Sequence, residues 1–92
     1  MDVEFDPTKR AVTLEARGLD MARAGEVFDG PTLSVVDERR DYGEPRQITI
    51  GLIDGRMVVL VWTPRKAARR IISLRKANER EQLSYGPRLI GR

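Results

Sequence analysis

Ninety-two residues, 40% hydrophobic and 34% charged, make one small domain with a single core over residues 1–92, enough apolar material to fold alone and too little for two units. The chain has no cysteine and no histidine, which excludes disulfides, thiol catalysis, thiolate or imidazole metal sites and Ser-His triads. The net charge of +3 is unevenly spread, with 8 Lys and Arg against 12 Asp and Glu in residues 1–63, and 9 against 2 in residues 64–92.

Val3-Glu4-Phe5 alternates as a short strand that ends at Asp6-Pro7. Asp6 suits a helix N-cap and Pro7 the first helical position, so a helix of about three turns is predicted as far as Arg17, with Gly18 as its stop. Asp20 then caps a second helix, in which Met21, Ala24, Val27 and Phe28 recur at three- and four-residue spacing up to Asp29-Gly30-Pro31. The two predicted helices form a hairpin.

Beyond Pro31, Leu33–Val36 reads as a strand and 37–44 as a polar loop turning at Gly43. Gln47–Ile53 alternates with period two, Asp54-Gly55 is a two-residue hairpin signal, and Met57–Trp62 is a continuous apolar strand. That strand is the longest apolar run, far short of the ~20 residues that cross a bilayer, and the opening MDVEFD resembles no signal peptide, so a cytoplasmic protein with no membrane partner is expected. A turn over 64–68 leads to a strand at Arg69–Leu74. Residues 76–85 have helical composition closed by Gly86-Pro87, with 87–92 expected to be loose. The layout is α+β: an antiparallel sheet of four to five strands, helices on one face, an N-terminal helical hairpin and a C-terminal helix.

The basic last third runs Arg65, Lys66, Arg69, Arg70, Arg75, Lys76, Arg80, Arg88, Arg92, seven arginines to two lysines. Guanidinium forks bind phosphate bidentately, so the bias suits nucleic acid; the competing readings are a solvated face or a dock for an acidic partner.

Several motifs occur in a recognisable order: Glu4-Phe5-Asp6-Pro7-x-Lys9, Val27-Phe28-Asp29-x-Pro31, Glu44-x-Arg46, Ile50-Gly51, Gly55-Arg56, Trp62-Thr63-x-Arg65 and Arg70-Ile-Ile-Ser73-x-Arg75. In this the chain resembles the BrnT family of toxins. The resemblance implies a RelE-like fold and a type II toxin that cleaves RNA and halts growth without a cofactor. It also implies a BrnA-like antitoxin that binds the toxin and represses the shared operon, operator DNA being reached only through that complex. Departures from the pattern are Ala16-Arg17-Gly18 where Lys-His-Gly is usual, Arg40-Asp41 where His-Ser is usual, Thr13 for Asn and Leu74 for Ala. Arginine holds phosphate but does not exchange a proton near neutral pH.

Metal-independent RNA cleavage needs in-line attack of a 2′-hydroxyl on phosphorus, cations on the non-bridging oxygens and a proton for the leaving 5′-oxygen. Arg46, Arg75, Lys9 and Glu44 are the catalytic candidates, and Arg40, Arg65, Arg70, Lys76, Trp62 and Tyr85 the candidate RNA contacts. Arg70 and Arg75 are an odd number apart, so without a bulge they face opposite ways and only one, preferably Arg75, belongs to the site. Lys9 is either a phosphate contact or proton carrier, or a solvated helix lysine; Glu44 is either a base or a partner that orients Arg46. Tyr85 and Trp62 are either stacking platforms or packing residues. The alternative to a nuclease is a non-catalytic binding module, an antitoxin-bound corepressor whose arginines dock an acidic segment.

Overall fold

In a computed structural model, residues 2–89 are described: β1 (Asp2–Glu4), α1 (Pro7–Arg17), a 3₁₀ turn (Met21–Arg23), α2 (Gly25–Asp29), β2 (Leu33–Val36), β3 (Gln47–Ile53), β4 (Arg56–Arg65), β5 (Ala68–Lys76) and α3 (Glu79–Leu89). α1 starts as its sequence dictates. The Asp6 carboxylate accepts from the N–H groups of Thr8 and Lys9, and Gly18, at φ 68°, closes the other end by donating to the Leu14 carbonyl. Asp20 caps the 3₁₀ turn at Ala22 and also takes two hydrogen bonds from Arg10, at 2.7 and 3.0 Å, tying the turn to α1. These donors hold the Asp20 carboxyl down at about 2. The second arm of the predicted helical hairpin is broken into this turn and the five-residue α2. Gly25, a poor helix former, stands at the break.

The five strands lie in the order β1-β5-β4-β3-β2. The hairpins β2–β3, β3–β4 and β4–β5 are antiparallel, whereas β1 runs parallel to β5, pairing Asp2–Glu4 with Ala68–Arg70. The sheet is therefore mixed rather than antiparallel, because the chain places its first strand on the edge that its last strand leaves open. Asp54 and Gly55 both take positive φ, 52° and 74°, as the two-residue hairpin between β3 and β4 requires. β4 runs beyond Trp62 to Arg65, leaving a two-residue turn at 66–67. Pro64 is tolerated because β3 pairs with β4 only as far as Trp62, so its missing N–H breaks no β3 bond.

One irregularity decides which side chains meet. Val61 pairs with Ser73 but Trp62 pairs with Ile71, so Ile72 is an extra residue in β5, a β-bulge. Ile71 and Leu74, three apart, consequently both enter the main core with Leu19, Met21, Ala24, Val27, Val58 and Leu60. That core lies under α1, the turn and α2. α3 packs on the opposite face, with Leu89 and Ala77 against Ile50 and Val59. Helices thus cover both faces, not one. α3 also passes through Gly86-Pro87 instead of stopping there. Burial of Leu89, worth about 1.5–3 kcal/mol, offsets the roughly 3 kcal/mol cost of a proline inside a helix. Of the segment 87–92 expected to be loose, Pro87–Leu89 are helical and 90–92 lie outside the described residues. No helix here is long and apolar enough to cross a membrane.

Candidate functional site

The bulge reverses the expectation for Arg70 and Arg75. Arg69 points into the main-core side, its guanidinium 3.9 Å from the Phe28 ring centroid and 5.3 Å from that of Trp62. Its neighbour Arg70 therefore faces the other way. Arg75 also lies on that other face, beside Ile50 and Val59. Both arginines share one surface of the sheet, not opposite ones.

At the end of that surface away from α3, arginines and carboxylates alternate. Arg46 Nε is 3.5 Å from Glu44, whose other oxygen lies 3.3 Å from Arg65; Arg65 is 4.0 Å from Glu4, which is 3.6 Å from Arg70. Three guanidiniums face two carboxylates, leaving a positive excess. Arg65 donates through both terminal nitrogens to Glu44 at 3.3 Å, whereas Arg46 and Arg70 are held by longer ion pairs and make no side-chain hydrogen bond among the described residues.

The 37–46 loop fixes Arg46. Asp37, its carboxylate wholly buried, is gripped by Arg39 through two hydrogen bonds of 2.8 Å, which hold its carboxyl far below the usual range. Between them and Arg46 sits Tyr42, its ring centroid 4.1 Å from the Arg46 guanidinium and 5.5 Å from that of Arg40. The Arg46 Nε is buried and makes no hydrogen bond.

Arg75 is treated differently. Glu81 binds it through both oxygens at 2.8 Å and also completes a capping box with Asn78 at the start of α3. The guanidinium and the cap pull the Glu81 carboxyl from 4.5 to about 2, and the Arg75 guanidinium is raised in return, chiefly by the Glu81 hydrogen bonds. Tyr85 and Arg88 line the same groove between α3 and β2.

Three candidates lie elsewhere. Lys9 sits on α1 beside Thr13, Arg17 and Ser73, in a pocket at the outer edge of β5. Lys76 pairs across from Val58, which belongs to the main core, and so stands on the side away from the arginines. Trp62 is a core residue: its ring meets Phe28 edge-on at 5.4 Å and its N–H donates to Thr49 Oγ1, so it offers no stacking face to the arginine surface. Conversely Tyr42, Asp37, Arg39 and Glu81 escaped the sequence reading, which named Glu4 only within a motif and Arg88 only within the basic block. Of these, Asn78-x-x-Glu81 carried a readable capping signal, whereas Tyr42 had none beyond an aromatic beside arginines.

A family model described as "Ribonuclease toxin, BrnT, of type II toxin-antitoxin system" matches residues 5–81. The chain belongs to the BrnT family. No curated protein matches it. The matched span holds Glu44, Arg46, Arg65, Arg70, Arg75 and Glu81, while Glu4, Tyr85 and Arg88 fall outside it. Two further guanidiniums within the matched span, those of Arg17 and Arg40, have defined contacts. Arg17 donates to the Leu74 carbonyl at 2.7 Å, and Arg40 lies over Tyr42. An antitoxin partner is expected of any such type II toxin.

Proposed function

We propose that the chain is a metal-independent endoribonuclease toxin whose Arg46, Arg65 and Arg70 hold the scissile phosphodiester, and that a BrnA-like antitoxin neutralises it. The observation that carries this reading is the gathering of those three arginines on one face of the sheet, Arg46 and Arg70 making no side-chain hydrogen bond among the described residues. Arg46 is the best oriented for a phosphoryl oxygen, since Tyr42 fixes its plane and Glu44 lies beside its buried Nε, which leaves the two terminal nitrogens to meet the ligand. Glu44, between Arg46 and Arg65, orients both and is the carboxylate placed to accept the 2′-hydroxyl proton. Attack of that oxygen on phosphorus forms a 2′,3′-cyclic phosphate and breaks the bond to the 5′-oxygen, which takes its proton from water. Arg75 extends the phosphate track once Glu81 releases it. The protein acts in the cytoplasm and touches operator DNA only through its antitoxin.

The test is to map new cellular RNA 5′ ends shortly after inducing the chain alone, with Arg46→Ala and Arg70→Ala in parallel. New 5′-hydroxyl ends are expected for the wild type and not for either variant. Undiminished cutting by both would remove the arginine face from the reaction. A second reading, a catalytically silent corepressor, draws support from Arg17, which is spent on a backbone carbonyl where a proton-exchanging residue is usual. Folded wild-type protein that binds antitoxin but makes no new ends would establish it.

A further inference from the structure

We infer that the free edge of β2 is the docking strand for an extended, acidic segment of the antitoxin, which adds a sixth strand to the sheet; this rests on the toxin reading above. The two edges of the sheet differ. On the β5 side, β1 covers Ala68–Arg70, and farther along Arg17 reaches from α1 to cap the Leu74 carbonyl. On the β2 side no strand pairs with the edge among the described residues. The Asp37 N–H donates to the Arg46 carbonyl at 2.8 Å, which sets the phase of the β2–β3 ladder. In antiparallel alternation, Val35 with Ile48 and Leu33 with Ile50 are then the hydrogen-bonded pairs, and the N–H and C=O of Ser34 and Val36 point outward.

Natural edges are usually blunted by charge, proline or a bulge. Leu33-Ser-Val-Val36 has none of these, and it leaves Val35 61% and Val36 55% exposed on its two faces. Beside Val35 the groove of about 250 Å³ has an aliphatic floor of Leu33, Ile48, Ile50 and Val59, with Arg88 and the Arg75–Glu81 pair on its rim. Arg88 has no ion pair among the described residues. Such a site asks for backbone hydrogen bonds along β2, apolar side chains at alternate positions into the groove, and carboxylates toward the rim. An RNA backbone has no use for the aliphatic floor. A second copy of this chain would offer Leu33–Val36 itself, which carries no carboxylate, and would bring a second pair of rim arginines toward the first.

The test uses the full chain and the antitoxin encoded beside it, titrated calorimetrically against wild type, Val36→Pro and Val35→Glu. Val36→Pro removes an outward N–H and leaves the β2–β3 ladder intact; Val35→Glu places a like charge against the incoming acidic segment. Each is expected to weaken binding about tenfold or more while growth arrest by the chain alone is unchanged. Hydrogen exchange on the wild-type complex is expected to protect the Ser34 and Val36 amides. Full affinity in both variants, or no protection of those amides, would overturn the inference. So would a dimer of the free chain that Val36→Pro dissolves, since the occupant would then be a second copy. An antitoxin that fails to bind the wild type would instead bring down the toxin reading beneath it.

Discussion

Arg46 and Arg75 show how neighbours decide what an arginine is free to do. Arg46 is held by an aromatic face and a carboxylate at 3.5 Å, so its donors stay available, whereas Arg75 spends its guanidinium on Glu81. The Glu81 pair has a pH signature. Its carboxyl is depressed in the folded chain, so its stabilisation is complete above the ordinary glutamate value of 4.5 and is lost as pH falls toward about 2. Glu81→Gln is therefore expected to lower the melting temperature at neutral pH, and the gap from wild type should close progressively below pH 4.5. Thermal melts of both proteins across that range check it; a gap independent of pH would mean that the charge contributes nothing. The arginines and Glu44 were legible in the sequence as residue types. Glu44 was also legible as the partner of Arg46, two residues away, but the partners of Arg75 and Arg70 were not, because the Arg75–Glu81 contact spans a strand-to-helix corner and the Glu4–Arg70 contact spans most of the chain.

At the scale of elements, α2 and β3 touch so closely that one position admits only glycine. A Cβ at Gly51 would stand 2.6 Å from Val27 Cγ1 and 3.4 Å from the Pro31 carbonyl oxygen, and Val27 is fully buried with nowhere to retreat. Gly51→Ala is expected to destabilise the fold by about 1–3 kcal/mol, read as a lower denaturation midpoint. The β3–β4 hairpin was plain in the sequence because alternation and Asp54-Gly55 are local signals. The parallel pairing of β1 with β5 was not, since an edge contact between the two ends of a chain leaves no periodicity. Proline at 87 misled for a related reason. Local propensity argued for a stop, and the burial of Leu89 against the sheet overrode it.

Across the whole molecule, Arg46, Arg65 and Arg70 gather on the part of one sheet face that α3 leaves open, while the other face lies under residues 7–29, which carry four Lys and Arg against four Asp and Glu. RNA binding should accordingly be steeply salt-dependent. With Arg46, Arg65 and Arg70 each neutralising one phosphate, the logarithm of affinity is expected to fall with the logarithm of salt at a slope of about −2, becoming shallower by about 0.7 in Arg65→Ala. Filter binding of a short single-stranded RNA over a salt series measures both; a flat response would exclude phosphate as the ligand of this face. The charge asymmetry itself was evident from composition, but the placing of Arg70 and Arg75 on one surface hung on the bulge at Ile72, a residue that looks unremarkable in the sequence. That dependence makes spacing, as much as residue identity, part of the site. Deleting Ile72 would remove the bulge and leave Ile71 and Leu74 two apart, so strict alternation would itself keep Ile71 in the core and Arg70 with Arg75 on the other face. One residue more between Arg70 and Arg75, with the bulge kept, would part them, so in a comparison of homologous chains an insertion in this stretch would mark a lost site, whereas a gap at Ile72 would not.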